Sequence, residues 1–277
     1  MRGSFWRCTL LTLMTVSHDE PKRVGFVAPP QSRVVLVARW LELRVLLFLA
    51  WSRLTGDEDG IVDGLLELGL ISAIFARIDE SERAYEEARQ RAVRVGYGLG
   101  IERGTHGAGT AALHRGDFDK ALKVLEPELL RFRQSTDRFW AADYFIKLGI
   151  AREKLDRLDA AAAAYSEAEM VASKTRNWRQ RASALHNLGG IRFKQEQYEE
   201  ALRHWKVALS LYEQHHNGQR VAEMQYLVAH AAGWLGLHEE AHDLLAASVD
   251  SFKRIGDHEM AKRSAALLAA GYQSPDE

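Results

Sequence analysis

From Ala184 to Asn217 the apolar positions fall into two helical patterns separated by a short polar break at Gln195 to Gln197. Leu185, Leu188, Gly189 and Arg192 share one face of the first pattern, and Ala201, Trp205, Ala208 and Tyr212 share one face of the second. The same arrangement returns at a step of 40 residues. Gly69, Gly109, Gly149 and Gly189 hold one column, with Ala229 and Ala269 after them; Ala121, Ala161, Ala201 and Ala241 hold another. A third runs Tyr85, Leu125, Tyr165, Trp205, Leu245, and polar stops recur at Gly56-Asp57, Thr136-Asp137, Asn177, Asn217 and Gly256-Asp257. Several registers keeping one step predict an all-α array of helix pairs. First helices are expected near 61–76, 100–115, 139–155, 179–195 and 220–236, and second helices near 79–95, 118–135, 158–175, 198–216 and 238–255. A lone helix near 258–272 would cap the array.

Leu188-Gly189, Ala201 with Trp205 four residues on, and Ala208 occupy the slots where the tetratricopeptide repeat keeps Leu-Gly, Ala with an aromatic, and Ala, so the chain resembles that family. The family's common repeat is about 34 residues long with a Pro near its end; here that Pro is missing and the helices are longer. Long repeats of this sort are similar to those of kinesin light chains, spindle-orientation adaptors and the sensor arms of large bacterial regulators. The resemblance implies a right-handed α-solenoid of about five full repeats, an N-terminal half repeat and a C-terminal capping helix. It also implies that the first helices line a concave face.

Two stretches depart from the pattern. Residues 1–32 carry Pro21, Gly25, Pro29 and Pro30 and no helical periodicity, so they read as a poorly ordered leader before a solenoid at 33–272 and a frayed tail at 273–277. Arg2 and Arg7 before Cys8–Val16 outline a secretory signal, but no small-x-small cleavage site follows. Val34–Trp51 is apolar enough to suggest a membrane span, yet it contains Arg39, Glu42 and Arg44, each costing about 2.5 to 3.5 kcal/mol at a bilayer centre. The 40-residue step makes it a second helix instead, with Leu41, Val45, Phe48 and Ser52 facing inward and an apolar outer side expected to be covered by self-association, by the leader or by a segment further upstream. Further along, Gly96, Gly98, Gly100, Gly104, Gly107 and Gly109 crowd one repeat, and Pro127 interrupts its second helix. The glycines signify tolerated drift or close packing, or else a hinge or backbone access for a ligand; Pro127 predicts a kink.

Composition narrows the function classes. A net charge of −1 gives no support to nucleic acid or anionic membrane as a partner, and the single Cys8 allows neither an internal disulfide nor a Cys-pair metal site, which suits a reducing cytosol. His238-Glu239-Glu240-Ala241-His242 matches the H-E-x-x-H zinc pattern, but Ala241 and His238 already have places in the repeat, and Leu245 and Ser248 stand where the extended motif needs Gly and a third His. His215-His216 fits a helix end, where cations are favoured. The chain has no Walker loop and no Gly-x-Ser-x-Gly elbow, so no cofactor, metal or catalytic residue is expected.

The face opposite Leu185, Leu188, Gly189 and Arg192 carries Ser183, His186, Asn187, Gly190 and Lys194. Its counterparts are Arg103, His106, Gly107, Thr110 and His114; Asp143, Ile146, Lys147, Ile150 and Lys154; and Glu223, Tyr226, Leu227, His230 and Trp234. Asn187 matches the position where the family often holds a peptide backbone, whereas the Lys and Asn set of its chaperone-tail binders is absent. The expected function is a non-enzymatic adaptor binding an extended acidic peptide of a protein partner. Arg103, His106, His114, Lys147, Lys154, His186, Asn187, Lys194, Tyr226 and His230 are the candidate contacts, the histidines adding charge when protonated. The rivals are a sensor arm binding a small effector and, far behind, a zinc hydrolase.

Overall fold

The computed structural model describes residues 31–271, with side chains from Arg39 onward. Of the two units into which the chain divides, Met1–Val37 and Ala38–Glu277, the second carries the array. The expected leader lies outside the described residues except for Gln31 and Ser32, and the expected tail lies wholly outside them. Helices α1 (Gln31–Thr55), α2 (Glu58–Ile74), α3 (Ile78–Val95), α4 (Gly98–Arg115) and α5 (Phe118–Leu125) lead into a 3-10 turn at Glu126–Glu128. There follow α6 (Leu129–Gln134), α7 (Arg138–Lys154), α8 (Leu158–Lys174), α9 (Trp178–Lys194), α10 (Tyr198–Gln214), α11 (Gly218–Trp234), α12 (His238–Ile255) and α13 (His258–Ala270). No strand occurs among the described residues, and the array is an α-solenoid in which each helix packs on the next.

The turns explain why the period is so regular. Left-handed residues close the helices at Gly56, Ala76, Gly96 and Gly116, and again at Asp156, Arg176, Glu196, His216, Gly236 and Gly256, steps of 20 residues. After each, the next amide reaches back five residues, as Gln197 does to the Arg192 carbonyl at 2.9 Å, so the orphan carbonyls of the helix end are satisfied. Where that next residue is Asp or Asn it also caps the following helix, as Asp137 does without a left-handed residue before it: Asp57, Asp117, Asp137, Asn177, Asn217 and Asp257 accept from the backbone amides of Gly60, Lys120, Trp140, Gln180, Arg220 and Met260. The polar stops of the sequence are thus starts as well.

The missing rung of this ladder is at 136, and Pro127 is the cause. Lacking an amide hydrogen, Pro127 tightens the chain into the 3-10 turn. The Leu129 amide then bonds to the Glu126 carbonyl, and the Leu125 carbonyl accepts instead from the Tyr144 hydroxyl at 2.7 Å. Phe132 stacks on the Tyr144 ring at 3.7 Å with an 8° interplanar angle. At the exit the Asp137 amide donates to Ser135 Oγ, which itself donates to Glu102. Fewer backbone bonds hold this turn, so the amides of residues 126–137 should exchange with solvent faster than their counterparts at 166–177 in a hydrogen-exchange experiment. Equal protection in the two segments would contradict this account of the break.

Close approach between the helices of a pair depends on the glycine column. A Cβ on Gly149 would lie 2.5 Å from the Tyr165 ring, and one on Gly109 2.6 Å from Leu125. The glycine-rich stretch follows the same logic: a Cβ on Gly104 would stand 2.9 Å from the Arg89 backbone, and one on Gly100 2.7 Å from Val62. These glycines are packing sites, and the hinge or ligand-access reading is set aside for them. In α1 the inward set is Val45, Leu49 and Ser52, all buried, rather than one including Phe48, which is 41% exposed. Leu49 takes that place because Gly64 leaves room for it, a Cβ there coming within 2.6 Å of Leu49.

Candidate functional site

First helices of neighbouring repeats touch one another directly, α2 with α4, α4 with α7 and α7 with α9, whereas between second helices long side chains reach across as ion pairs such as Arg133–Glu167 and Lys206–Glu240. Direct contact between first helices is what the inner side of such an array requires. The candidate residues project from that side, but the structure pairs several of them.

His106 is 8% exposed, and its Nε2 lies 2.5 Å from Asp143 Oδ2, with the ring edge-on to Trp140. Burial by itself would raise the Asp143 pKa, but the His106 hydrogen bond and the charges of His106 and Lys147 outweigh it and hold the carboxyl at about 2. Lys147 Nζ stands 4.0 Å from the other Asp143 oxygen. Lys194 bridges to Glu153 at 2.6 Å, and the Tyr165 hydroxyl donates to the same carboxylate. His114 and Lys154 are exposed with no partner among the described residues, and half-buried Asn187 is equally unengaged. Arg103 Nε is buried without a hydrogen bond, close to Asp63 and Tyr97.

Toward the C-terminal end the wall changes character. Burial, and after it the charge of Arg220, lowers the pKa of His186, whose carbonyl accepts from Trp205 Nε1 at 2.9 Å. Burial also lowers that of His230, whose ring packs against Phe193 and Tyr226. Both are neutral at neutral pH, so the charge expected from them does not reach the groove there. Trp234 stacks on Tyr198 at 5.2 Å and remains 41% exposed.

Some residues of this face escaped sequence reasoning. One step of 40 back from Arg103 and Gly107 lie Asp63 and Glu67, whose carboxyl pKa values are raised by burial; extending the columns one repeat earlier would have found them. Trp140 and Phe193 lie off those columns and emerge only from side-chain packing. The inner face therefore runs from acidic, through mixed with a basic excess, to aromatic. His238 and His242 are exposed and border a cavity of about 290 Å³ with Leu245, Leu267, Leu268 and Gly271. Among the described residues no group of three or more His, Cys, Asp or Glu side chains is placed to hold a metal ion. No described helix is long and apolar enough to cross a membrane.

The family model of the tetratricopeptide repeat matches residues 182–215. The helix pairs on both sides of that segment repeat its arrangement, so the array has the fold of a tetratricopeptide-repeat solenoid with a long period. The STAND-class signal-transduction ATPase with a tetratricopeptide repeat sensor from Pyrococcus horikoshii superimposes at a TM-score of 0.69 and 14% identity, over 87% of this chain and 37% of that one. Aspartyl phosphate phosphatase F from Bacillus subtilis does so at 0.63 and 12%, over 82% of this chain and 60% of that one. YrrB, described as having an unusual peptide-binding site, gives 0.54 and 16%, over 74% and 91%. At these identities the likeness is one of fold, and the chain spans less than two thirds of the phosphatase. No curated protein sequence matches it.

Proposed function

We propose that the array is a non-enzymatic cytosolic scaffold holding an extended peptide segment of another protein along its inner face. The observation that carries this reading is Asn187, which stands in the wall of that face with both halves of its amide unengaged and with Lys147 one repeat away. An amide so placed can donate to and accept from a peptide backbone. Packed helices sit about 8 to 10 Å apart and an extended peptide advances about 3.3 Å per residue, so each repeat meets a few ligand residues. Arg103, Lys147 and Lys154 favour Asp or Glu in the middle of the ligand, and Tyr226 with Trp234 favours an apolar or aromatic residue at one end.

The test is selection from a displayed random-peptide library, followed by titration of the selected peptide. Lys147→Glu should weaken binding roughly tenfold or more, and Asn187→Ala roughly three- to tenfold, while Lys206→Glu on the outer side changes little. Equal affinities in all three would remove the groove from the account. If no peptide is selected and a small metabolite raises the thermal midpoint instead, the array is a sensor arm.

A further inference from the structure

The two ends of the array are finished differently. The last helix, α13, turns His258, Glu259, Lys262, Arg263, Ala265, Ala266 and Ala269 outward, a polar and small-residue face suited to water. The first, α1, exposes Trp40 (59%), Leu43 (55%), Leu46 (47%), Leu47 (64%), Phe48 (41%), Trp51 (66%) and Leu54 (84%). These side chains offer on the order of 800 Å² per copy, more than the largest apolar patch of an ordinary monomer and equal to what each partner buries in a standard interface.

We propose that this face binds a second copy of the chain, α1 packing antiparallel on α1 about a two-fold axis at Leu47. Trp40, Leu43, Leu47, Trp51 and Leu54 follow one another at steps of 3, 4, 4 and 3, the seam of a helix–helix contact. With Leu47 on the axis, Trp40 meets Leu54 of the second copy and Trp51 meets its Leu43, so each indole lies against a smaller side chain and the contact is self-complementary. A parallel pairing would set Trp40 on Trp40 and Trp51 on Trp51, large ring against large ring. The antiparallel dimer leaves both inner faces open and carries two ligand grooves.

Sedimentation equilibrium of the full chain should find two copies per particle at about 100 μM, as an interface of this size supports. Leu47→Glu, which puts two carboxylates on the axis, should raise the dissociation constant about 100-fold or more with the helical circular dichroism unchanged. In a Cys8→Ser background, Leu47→Cys should form covalent dimers on oxidation, Trp40→Cys alone should not, and an equal mixture of Trp40→Cys and Leu54→Cys should. Three results would overturn the proposal: a monomer at the highest concentration, whether free or bound to phosphatidylserine vesicles; a dimer untouched by Leu47→Glu; or crosslinking by Trp40→Cys alone. None of these bears on peptide binding in the groove.

Discussion

Gly189→Ala and Gly190→Ala, neighbours in one helix, should shift stability in opposite directions. A Cβ on Gly189 would enter the Trp205 indole, whereas one on Gly190 meets nothing within 4 Å. Trp205 is 3% exposed, and its Nε1 donates to the His186 carbonyl, so the ring cannot swing aside without losing that bond. Overpacking of this kind costs about 1 to 3 kcal/mol, and an orphaned buried hydrogen bond adds about 1 to 3 more. Gly190→Ala gains about 0.5 to 1 kcal/mol from helix propensity, with no steric term to oppose it. The two thermal midpoints should lie on opposite sides of the parent's, and Gly189→Leu should fall lower still. A Gly189→Ala midpoint at or above that of Gly190→Ala would mean that the helix pair is not packed through this column.

Tyr144 should be the costliest single residue to lose around the irregular helix. Its hydroxyl occupies the Leu125 carbonyl that the Pro127 turn has left without an amide, and its ring lies between Phe132 and Phe145 in the fully buried core. Tyr144→Phe leaves that carbonyl buried and unpaired at a cost of about 1 to 3 kcal/mol. Tyr144→Ala also empties the ring's space and should cost about 3 to 5 kcal/mol. Pro127→Ala offers the internal check. If the hydroxyl serves chiefly to satisfy the broken helix, a regular turn in which the Leu129 amide returns to the Leu125 carbonyl should shrink the penalty of Tyr144→Phe measured in that background. An unchanged penalty, read from paired denaturant titrations, would show the two sites to be independent.

The helix pairs, their step and their order were legible in the sequence because each depends on local chemistry repeated at one spacing. Small residues in the Gly189 column, large apolar residues in the Trp205 column and Asx caps such as Asn177 do the same work in most repeats, so the pattern survives wherever the packing does. Pro127 announced its own break for the same reason, since a missing amide is a property of the residue. The site was legible only as positions on a helix face. Periodicity placed Lys147, Asn187 and Lys194 on one side, but it could not say that Glu153 would take Lys194, that Asp143 would lie between His106 and Lys147, or that burial would keep His186 and His230 neutral. Those outcomes are distances between side chains of different repeats, set by how closely the first helices approach. Charge that is additive along a sequence is cancelled or desolvated pair by pair in space, and only the tertiary structure decides which pairs form.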